Sequence, residues 1–140
     1  METINPSTLT QAYSELIAQV TIAPSGGRLV AISGQAPVDR GGKLVGGDDH
    51  IEQARQCFRN VDAALRSVGA TADDVFQMRI YIVRHRQDLV PLIFAAGRDI
   101  FGYDWPVCAS AWLGIEALAM PEWLVEIEIT AVKPDDFRDG

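Results

Sequence analysis

The chain has 140 residues, a length that one hydrophobic core serves, so we expect a single domain over residues 1–140. Hydrophobic residues make up 48% and charged residues 22%, an ordinary globular mixture, and no apolar run is long enough to cross a bilayer. The net charge of −7 and the scattered placement of the 12 basic residues argue against a nucleic-acid-binding surface, because phosphate binding needs clustered cations.

The N-terminus, the cysteines and the histidines favour a cytoplasmic protein without a metal site. The first residues lack the basic and apolar regions of a secretory signal. Cys57 and Cys108 are too few and too far apart for a disulfide framework or a zinc site. We expect His50 and His85 at the surface and not as metal ligands. The acidic end from Pro134 is expected to be solvated.

The N-terminal part of the chain predicts an antiparallel hairpin. The stretch from Ala12 to Ala23 is rich in apolar and β-branched residues, a strong turn signal follows at 24–27, and a second strand is expected from Arg28 to Ser33. That strand ends on the polar sequence Ser33-Gly34-Gln35, which would fill a core poorly. Glycine permits a close approach of the backbone to a ligand, and a hydroxyl or amide can bind the ligand there.

Two helices are predicted where apolar residues recur at helical spacing. The first begins after Asp48 or Asp49, either of which can cap its first turn, and ends before Gly69, which suits the left-handed position after a helix. The second has Asp88 as its candidate N-cap and Gly102 as its stop. The two apolar stripes are Ile51, Ala54, Phe58, Val61, Leu65 and Val68, and Leu89, Leu92, Ile93, Ala96 and Ile100.

Three further strands are predicted, over Val75 to Val83, from Pro106 to near Leu118, and over Leu124 to Val132. The order ββαβαββ does not repeat a strand–helix unit, so we predict an α+β fold in which two helices pack on one face of a mixed sheet. Alternation leaves the other face half-polar, which favours contact with another subunit. We assign to that face Gln77, Arg79, Tyr81, Trp112, Glu126 and Glu128, with Ile32 as a further candidate.

Several motifs lie in order between residues 13 and 132. They are Ser33-Gly-Gln-Ala-Pro-Val-Asp39, Gln53-Ala-Arg-Gln56, Asn60, Ala64-Leu-Arg-Ser-Val-Gly-Ala70, Asp74-Val75 and Val125-Glu-Ile-Glu128. Their order and spacing resemble those of the RidA/YjgF family, also called the YjgF/YER057c/UK114 family. The resemblance implies a chorismate-mutase-like α+β subunit. It also implies a homotrimer whose sheets line a central barrel, with three ligand clefts between neighbouring subunits.

The resemblance further implies an enzyme that needs no cofactor and no metal. Characterised members of the family hydrolyse reactive enamines and imines, such as 2-aminoacrylate, to 2-oxo acids and ammonia. The glutamate of the family's final strand corresponds to Glu126, which we take as the catalytic residue that accepts a proton from water. Ser33 and Gly34 correspond to the family's substrate-binding motif, and Tyr13 to its N-terminal aromatic residue.

The chain departs from the family at the arginine that binds the substrate carboxylate. The family carries this arginine in a Pro-Ala-Arg-Ser-like sequence, whereas this chain reads Pro106-Val-Cys-Ala-Ser110. Counting forward from Pro106 places Cys108 at the arginine position, and counting back from Leu118 places Ser110 there. Loss of such a charged hydrogen bond removes about 1.5–3 kcal/mol of binding. Activity on 2-aminoacrylate should therefore be weak, unless Arg79 or a neighbouring subunit supplies the charge.

The sequence supports three hypotheses about function. The first is an imine or enamine deaminase of altered specificity, in which Cys108 or Ser110 beside Trp112 accommodates a larger or less anionic substrate. Aminomuconate-like, aromatic-derived and biosynthetic imines are candidates. The second is a catalytically silent trimer that binds a small metabolite or a protein partner. The third is another reaction in the same cleft, for example chorismate-type chemistry, because a fold alone does not decide function.

Overall fold

A four-stranded sheet with two helices on one face forms most of the protein. The computed structural model describes residues 1–134, and the rest of the predicted acidic end, residues 135–140, lies outside them. The strands are β1 Glu2–Ile4, β2 Val20–Ile22, β3 Arg28–Gln35, β4 Val75–Val83, β5 Ala109–Ile115 and β6 Val125–Lys133. The helices are α1 His50–Ser67 and α2 Leu89–Phe101, with 3₁₀ turns at Ala72–Asp74 and Gly102–Asp104.

The large sheet has the strand order β3-β6-β4-β5, in which β4 and β5 run parallel and the other pairs antiparallel. Buried and half-buried residues alternate along β6 and along most of β4, as expected for a sheet with one face in the core. The buried side chains of these strands and of the two helices belong to one hydrophobic cluster. The predicted α+β fold with a mixed sheet is thereby confirmed.

All four residues predicted at the helix ends lie there. Asp49 is the N-cap of α1, and its carboxylate accepts hydrogen bonds from the N–H groups of Ile51 and Glu52, which lack partners within the helix. Gly69 follows α1 with a φ of 72°, a left-handed conformation that glycine adopts without strain. Gly102 ends α2 with a φ of 60°, whereas Asp88 makes no capping hydrogen bond with its side chain.

The predicted hairpin over residues 12–33 is wrong. β2 pairs with β1 in a separate two-stranded sheet, and β3 pairs with β6 in the large sheet. Residues 12–16 form a turn, and the Tyr13 carbonyl accepts hydrogen bonds from the N–H groups of Leu16 and Ile17. Apolar content and a following turn favour local pairing, but β2 and β3 each gain a partner that is distant in the chain.

The assignment of Trp112 and Ile32 to the half-polar face is also wrong. Trp112 stands opposite Ile80 on the neighbouring strand, and Ile32 stands opposite Ile129. Residues that are directly opposite in a sheet share a face, and Ile80 and Ile129 are buried in the core beneath the helices. Trp112 and Ile32 therefore lie on the helix face. Composition alone suggested the other face because a tryptophan can occupy either a core or an interface.

The expected surface position of His50 is likewise wrong. Its side chain is only 7% exposed, and its Nε2 lies 2.7 Å from the carbonyl oxygen of Val83. This contact fixes the first turn of α1 against the last residue of β4. His85 is exposed, as expected. Within residues 1–134, no helix is long and apolar enough to span a membrane.

Candidate active site

The face of the sheet opposite the helices carries a cluster of polar side chains, which we call the carboxylate patch. It consists of Glu126 and Glu128 on β6, which stand opposite Tyr81 and Arg79 on β4. One carboxylate oxygen of Glu128 accepts a hydrogen bond from the Tyr81 hydroxyl at 3.1 Å and lies 3.4 Å from Nη1 of Arg79. Glu128 therefore balances the charge of Arg79, while Glu126 has neither as a partner.

Gly34 brings the backbone of β3 directly against Glu126. The pairing of β3 with β6 is irregular between Ile32 and Gln35, so the strand shifts its register at Ser33 and Gly34. A Cβ atom on residue 34 would lie 2.5 Å from Oε2 of Glu126 and 2.7 Å from its Cδ. Only glycine leaves room for the carboxylate in its present position. Ser33 is exposed at the same irregularity, and its carbonyl accepts a hydrogen bond from the Gln35 side chain at 2.9 Å.

The surroundings of Glu126 favour its protonated form. Partial burial raises the pKa of Glu126 above the ordinary value of a glutamate, and the nearby negative charge of Glu128 raises it further. Burial and the hydrogen bond to Glu128 also raise the pKa of Tyr81. A carboxylate with a raised pKa retains its proton closer to neutral pH, which suits a group that both accepts and donates protons.

A second candidate region lies on the helix face beside β5, and we call it the aromatic cavity. It has a volume of about 280 Å³. The residues that line it are Tyr13, Ile17, Ile80, Val90, Phe94, Ser110, Ala111 and Trp112. None of these side chains carries a charge at neutral pH. The cavity is therefore suited to uncharged groups.

Trp112 forms one wall of the aromatic cavity. Its ring centroid lies 5.3 Å from that of Phe94 and 6.0 Å from that of His85, distances at which aromatic rings attract one another. The indole Nε1 is buried, and no atom of the described residues accepts its hydrogen bond. An unpaired buried donor costs about 1–3 kcal/mol, so this N–H favours a partner that supplies an acceptor.

Cys108 and Ser110, the two candidates for the missing arginine position, differ in access. Cys108 is fully buried, and burial raises the pKa of its thiol to about 11, so it is uncharged at neutral pH and unsuited to act as a nucleophile. Ser110 lines the cavity, and its hydroxyl donates a hydrogen bond to the Cys108 carbonyl at 2.9 Å. The two side chains approach to 3.8 Å between sulfur and oxygen.

Tyr13 stands at the opening of the aromatic cavity. Its side chain is 64% exposed although it contributes to the lining. Its backbone has a φ of 67°, which a bulky residue rarely adopts. The two hydrogen bonds accepted by its carbonyl hold the turn in this strained form. Strain of this kind is concentrated at functional positions because surrounding contacts must maintain it.

A buried glutamine that sequence reasoning did not single out as a site residue positions the start of β6. Gln53 on α1 is 0% exposed, and its amide nitrogen donates to the carbonyls of Gly47 at 2.7 Å and Glu122 at 2.9 Å. Its amide oxygen accepts from the N–H of Leu124 at 2.7 Å. The segment immediately before Glu126 is thereby bound to a helix. The sequence signal for this role is a glutamine beside Ala54 on the apolar side of α1, where a polar side chain must find partners within the protein.

The predicted site residues thus fall into two groups on opposite faces of the sheet. Gly34, Glu126 and Arg79 lie at the carboxylate patch, with Ser33 exposed beside them. The cavity group comprises Tyr13, Ser110 and Trp112, with Cys108 buried behind Ser110. Within one chain, the structure does not bring the two groups together. Among the described residues, there is also no group of three or more histidine, cysteine, aspartate or glutamate side chains that could hold a metal ion.

Comparison with known proteins identifies the family. A family model described as Endoribonuclease L-PSP matches residues 7–133, nearly the whole chain. The chain belongs to the RidA/YjgF family. A RidA/YjgF assignment also agrees with a solved structure of YyfB, a Rid family protein of unknown function from Yersinia pestis. The two chains are 35% identical, and the match covers 94% of this chain and 97% of YyfB, with a TM-score of 0.83.

Other RidA/YjgF relatives share less of the chain. The structure of Rv2704 from Mycobacterium tuberculosis, described as a member of the YjgF/YER057c/UK114 family, is 31% identical and covers 76% of this chain and 80% of its own, with a TM-score of 0.57. A RutC family protein from Pyrococcus horikoshii is 29% identical over 109 residues, which are 76% of this chain and 81% of that protein. These likenesses confirm the resemblance predicted from the motifs.

Proposed function

We propose that this RidA/YjgF protein hydrolyses a reactive imine, or the imine tautomer of an enamine, to a carbonyl compound and ammonia. The observation that supports this most is the Glu126 carboxylate, which lies against the backbone of Gly34 and has a raised pKa. A carboxylate of this kind activates water without a metal. The reaction consumes one water for each C=N bond and releases one ammonia.

Glu126 would act twice in this reaction. In the first step its carboxylate accepts a proton from water, and the hydroxide oxygen adds to the imine carbon while the nitrogen takes up a proton from solvent. In the second step the protonated carboxyl gives its proton to the amine of the resulting carbinolamine, and the C–N bond breaks as the C=O bond forms. The carbinolamine hydroxyl releases its proton to solvent, which replaces the one taken up in the first step. The raised pKa supports both roles, because the protonated and ionised forms then lie closer in energy near neutral pH.

We further propose that the complete cleft forms between two copies of the chain. The carboxylate patch and the aromatic cavity lie on opposite faces of one sheet, so one subunit cannot offer both to a small substrate. In a closed homotrimer, the patch of one subunit would face the cavity of its neighbour. The open, half-polar sheet face supports this arrangement, because that face includes polar groups together with the exposed Leu29.

The substrate would differ from 2-aminoacrylate. The segment between Arg98 and Arg138 contains no arginine, and the lining of the aromatic cavity contains no cation. Arg79 lies beside Glu128, which balances its charge. A small imino acid would therefore lack a strong carboxylate partner on this chain. Larger or less anionic imines, including aminomuconate-like, aromatic-derived or biosynthetic intermediates, suit the site better.

A second candidate function is binding without catalysis. It is favoured by the absence of a cation in the cavity lining, since the family reaction on imino acids uses one. In that case the chain would be a trimer that binds a small metabolite or a protein partner. The two functions differ in what Glu126 does, so one substitution separates them.

The test is the rate of hydrolysis of imines generated in solution by oxidation of a panel of amino acids and amines with an oxidase and O₂, measured above the uncatalysed rate. Glu126→Gln keeps the size of the side chain and removes the proton acceptor, so it should lower this rate at least about 100-fold. Glu122→Gln, an exposed carboxylate four residues earlier, is the matched control and should retain the wild-type rate. Background rates with every imine, or full activity in Glu126→Gln, would favour the binding function.

A further inference from the structure

We propose that the aromatic cavity binds an uncharged aromatic ring system, so that the substrate is an imine that bears an aryl group in place of a carboxylate. Assigning this ligand to a substrate rests on the function proposed above. The binding itself depends only on the shape and chemistry of the cavity.

Charge is the first reason for this assignment. Seven of the eight side chains in the lining are aromatic or aliphatic, and the eighth is the hydroxyl of Ser110. A carboxylate placed among them would lose water and gain no cation, which is unfavourable in an apolar site. The net charge of −7 adds long-range repulsion of anions. An uncharged ligand incurs neither penalty.

Size and shape are the second reason. The cavity measures about 280 Å³. An apolar protein cavity of about 150 Å³ holds one benzene molecule. The present cavity therefore has room for two fused rings. Its walls include the rings of Phe94, Trp112 and Tyr13, which can stack on a ligand or meet it edge-on.

The polar groups of the wall are the third reason. The Ser110 hydroxyl already donates its proton to the Cys108 carbonyl, so only its lone pairs are available to a ligand. The lone pairs of this hydroxyl match a ligand group that donates a proton, such as an amide N–H, and they match a carboxylate poorly because it has no proton to donate.

The strained turn at Tyr13 supports the same interpretation. A tyrosine with a φ of 67° is held at the opening by hydrogen bonds of its own carbonyl, and not by burial of its ring. The exposed ring is therefore available to cover a flat ligand. An aromatic ligand would bury it and gain contact area that a small imino acid would not provide.

The experiment compares two probes of equal shape and different charge, 2-naphthamide and 2-naphthoate. Binding to the full-length protein is followed by NMR at the indole N–H of Trp112, which is assigned with Trp112→Phe. We expect saturable binding of naphthamide that is at least about tenfold tighter than that of naphthoate. Equal or tighter binding of naphthoate, or no binding of either probe, would overturn the proposal.

Two variants that each introduce a positive charge test whether the preference for naphthamide arises in the cavity. Ser110→Arg places a cation in the lining and should reverse the preference in favour of naphthoate. Tyr103→Arg is the matched control, because Tyr103 is fully exposed and outside the cavity, and it should keep the wild-type preference. Reversal by both variants would mean that net charge alone decides, and the proposal would be wrong. If Ser110→Arg does not fold, Val90→Trp decides, since filling the cavity should abolish naphthamide binding.

Binding and turnover are separable outcomes. If naphthamide binds as expected and no imine is hydrolysed, the ligand assignment stands and the proposed reaction fails. If anionic imines are hydrolysed and naphthamide does not bind, the proposed reaction stands and the ligand assignment fails.

Discussion

The carboxylate patch and the aromatic cavity lie on opposite faces of the same sheet and are built by different means. The patch consists of ionisable groups on β4 and β6. A hydrogen bond from Tyr81 fixes Glu128, and Gly34 leaves the space that the Glu126 carboxylate occupies. The cavity is lined by aromatic and aliphatic side chains, among which the rings of Phe94 and Trp112 contact each other. The patch contains carboxylates of the kind that proton transfer needs, whereas the cavity has room for a ring system and no carboxylate in its lining.

This difference suggests separate roles for the two regions in the proposed reaction. Chemistry would depend on the patch, and the choice of substrate would depend on the cavity. Substitutions at the patch should therefore change rates and pH dependence, while substitutions at the cavity should change which molecule binds. Three predictions test the patch side of this comparison.

The largest effect is expected from Gly34→Ala. A methyl group at this position would meet the Glu126 carboxylate at 2.5 Å and displace it, and a displacement of about 1 Å can reduce catalysis about 100-fold. Stability should change little, because the atom that must move is the end of a flexible side chain. The measurement is kcat for imine hydrolysis beside a thermal melt.

Gly41→Ala is the matched control for Gly34→Ala. A Cβ atom there would meet only Asp39 at 3.4 Å, an ordinary contact, so activity should persist. Equal activity of the two variants would show that the position of Glu126 does not matter for the reaction. Unchanged naphthamide binding in Gly34→Ala would support the division between the two regions.

A smaller effect is expected from Glu128→Gln. The charge of Glu128 helps to raise the pKa of Glu126, so its removal should lower that pKa and move the acidic limb of the pH–rate profile to lower pH. Release of Arg79 would act in the same direction. A carbon-13 NMR titration of the glutamate carboxyl groups measures the shift directly. Glu122→Gln should leave the titration of Glu126 in place, and a shift in that control instead would contradict the assignment.

The smallest effect concerns stability. Because the folded state raises the pKa of Glu126 above its ordinary value of 4.5, it binds the proton more tightly than the unfolded state does. The free energy of unfolding of the wild type should therefore decrease relative to that of Glu126→Gln as pH rises through the interval from 4.5 to the raised pKa. Below this interval residue 126 is uncharged in both proteins, so its contribution to the free energy of unfolding should be similar. At pH 7 the variant should be the more stable of the two. Denaturant titrations from pH 4 to pH 8 measure the difference, and a constant difference would contradict it.

Local signals in the sequence predicted the parts of the fold that depend on neighbours in the chain. α1 begins after Asp49, whose carboxylate accepts hydrogen bonds from unpaired N–H groups of the first turn, and it ends before Gly69, which adopts the left-handed conformation after the last turn. The alternation at Glu126 and Glu128 gave the correct faces of β6 for the same reason. The motifs added the family, which the comparisons confirm.

Pairing between distant segments could not be predicted in the same way. The turn at Tyr13 interrupts an apolar stretch that looked like a strand, and β2 pairs with residues at the start of the chain. The face of Trp112 depends on the register of β5 against β4, which no local pattern reveals because both faces of β5 are mixed. The separation of Ser110 from Glu126 follows from that register.

Gln53 has a consequence for how the chain reaches this arrangement. A shift of β6 by one residue would turn Glu126 and Glu128 into the core and their aliphatic neighbours outward. In the segment before β6, the amide of Gln53 donates to the Glu122 carbonyl and accepts from the Leu124 N–H, so it matches the order of donors and acceptors in one alignment of that segment. A helix side chain thus selects the strand register, and with it the side of the sheet on which the carboxylates stand.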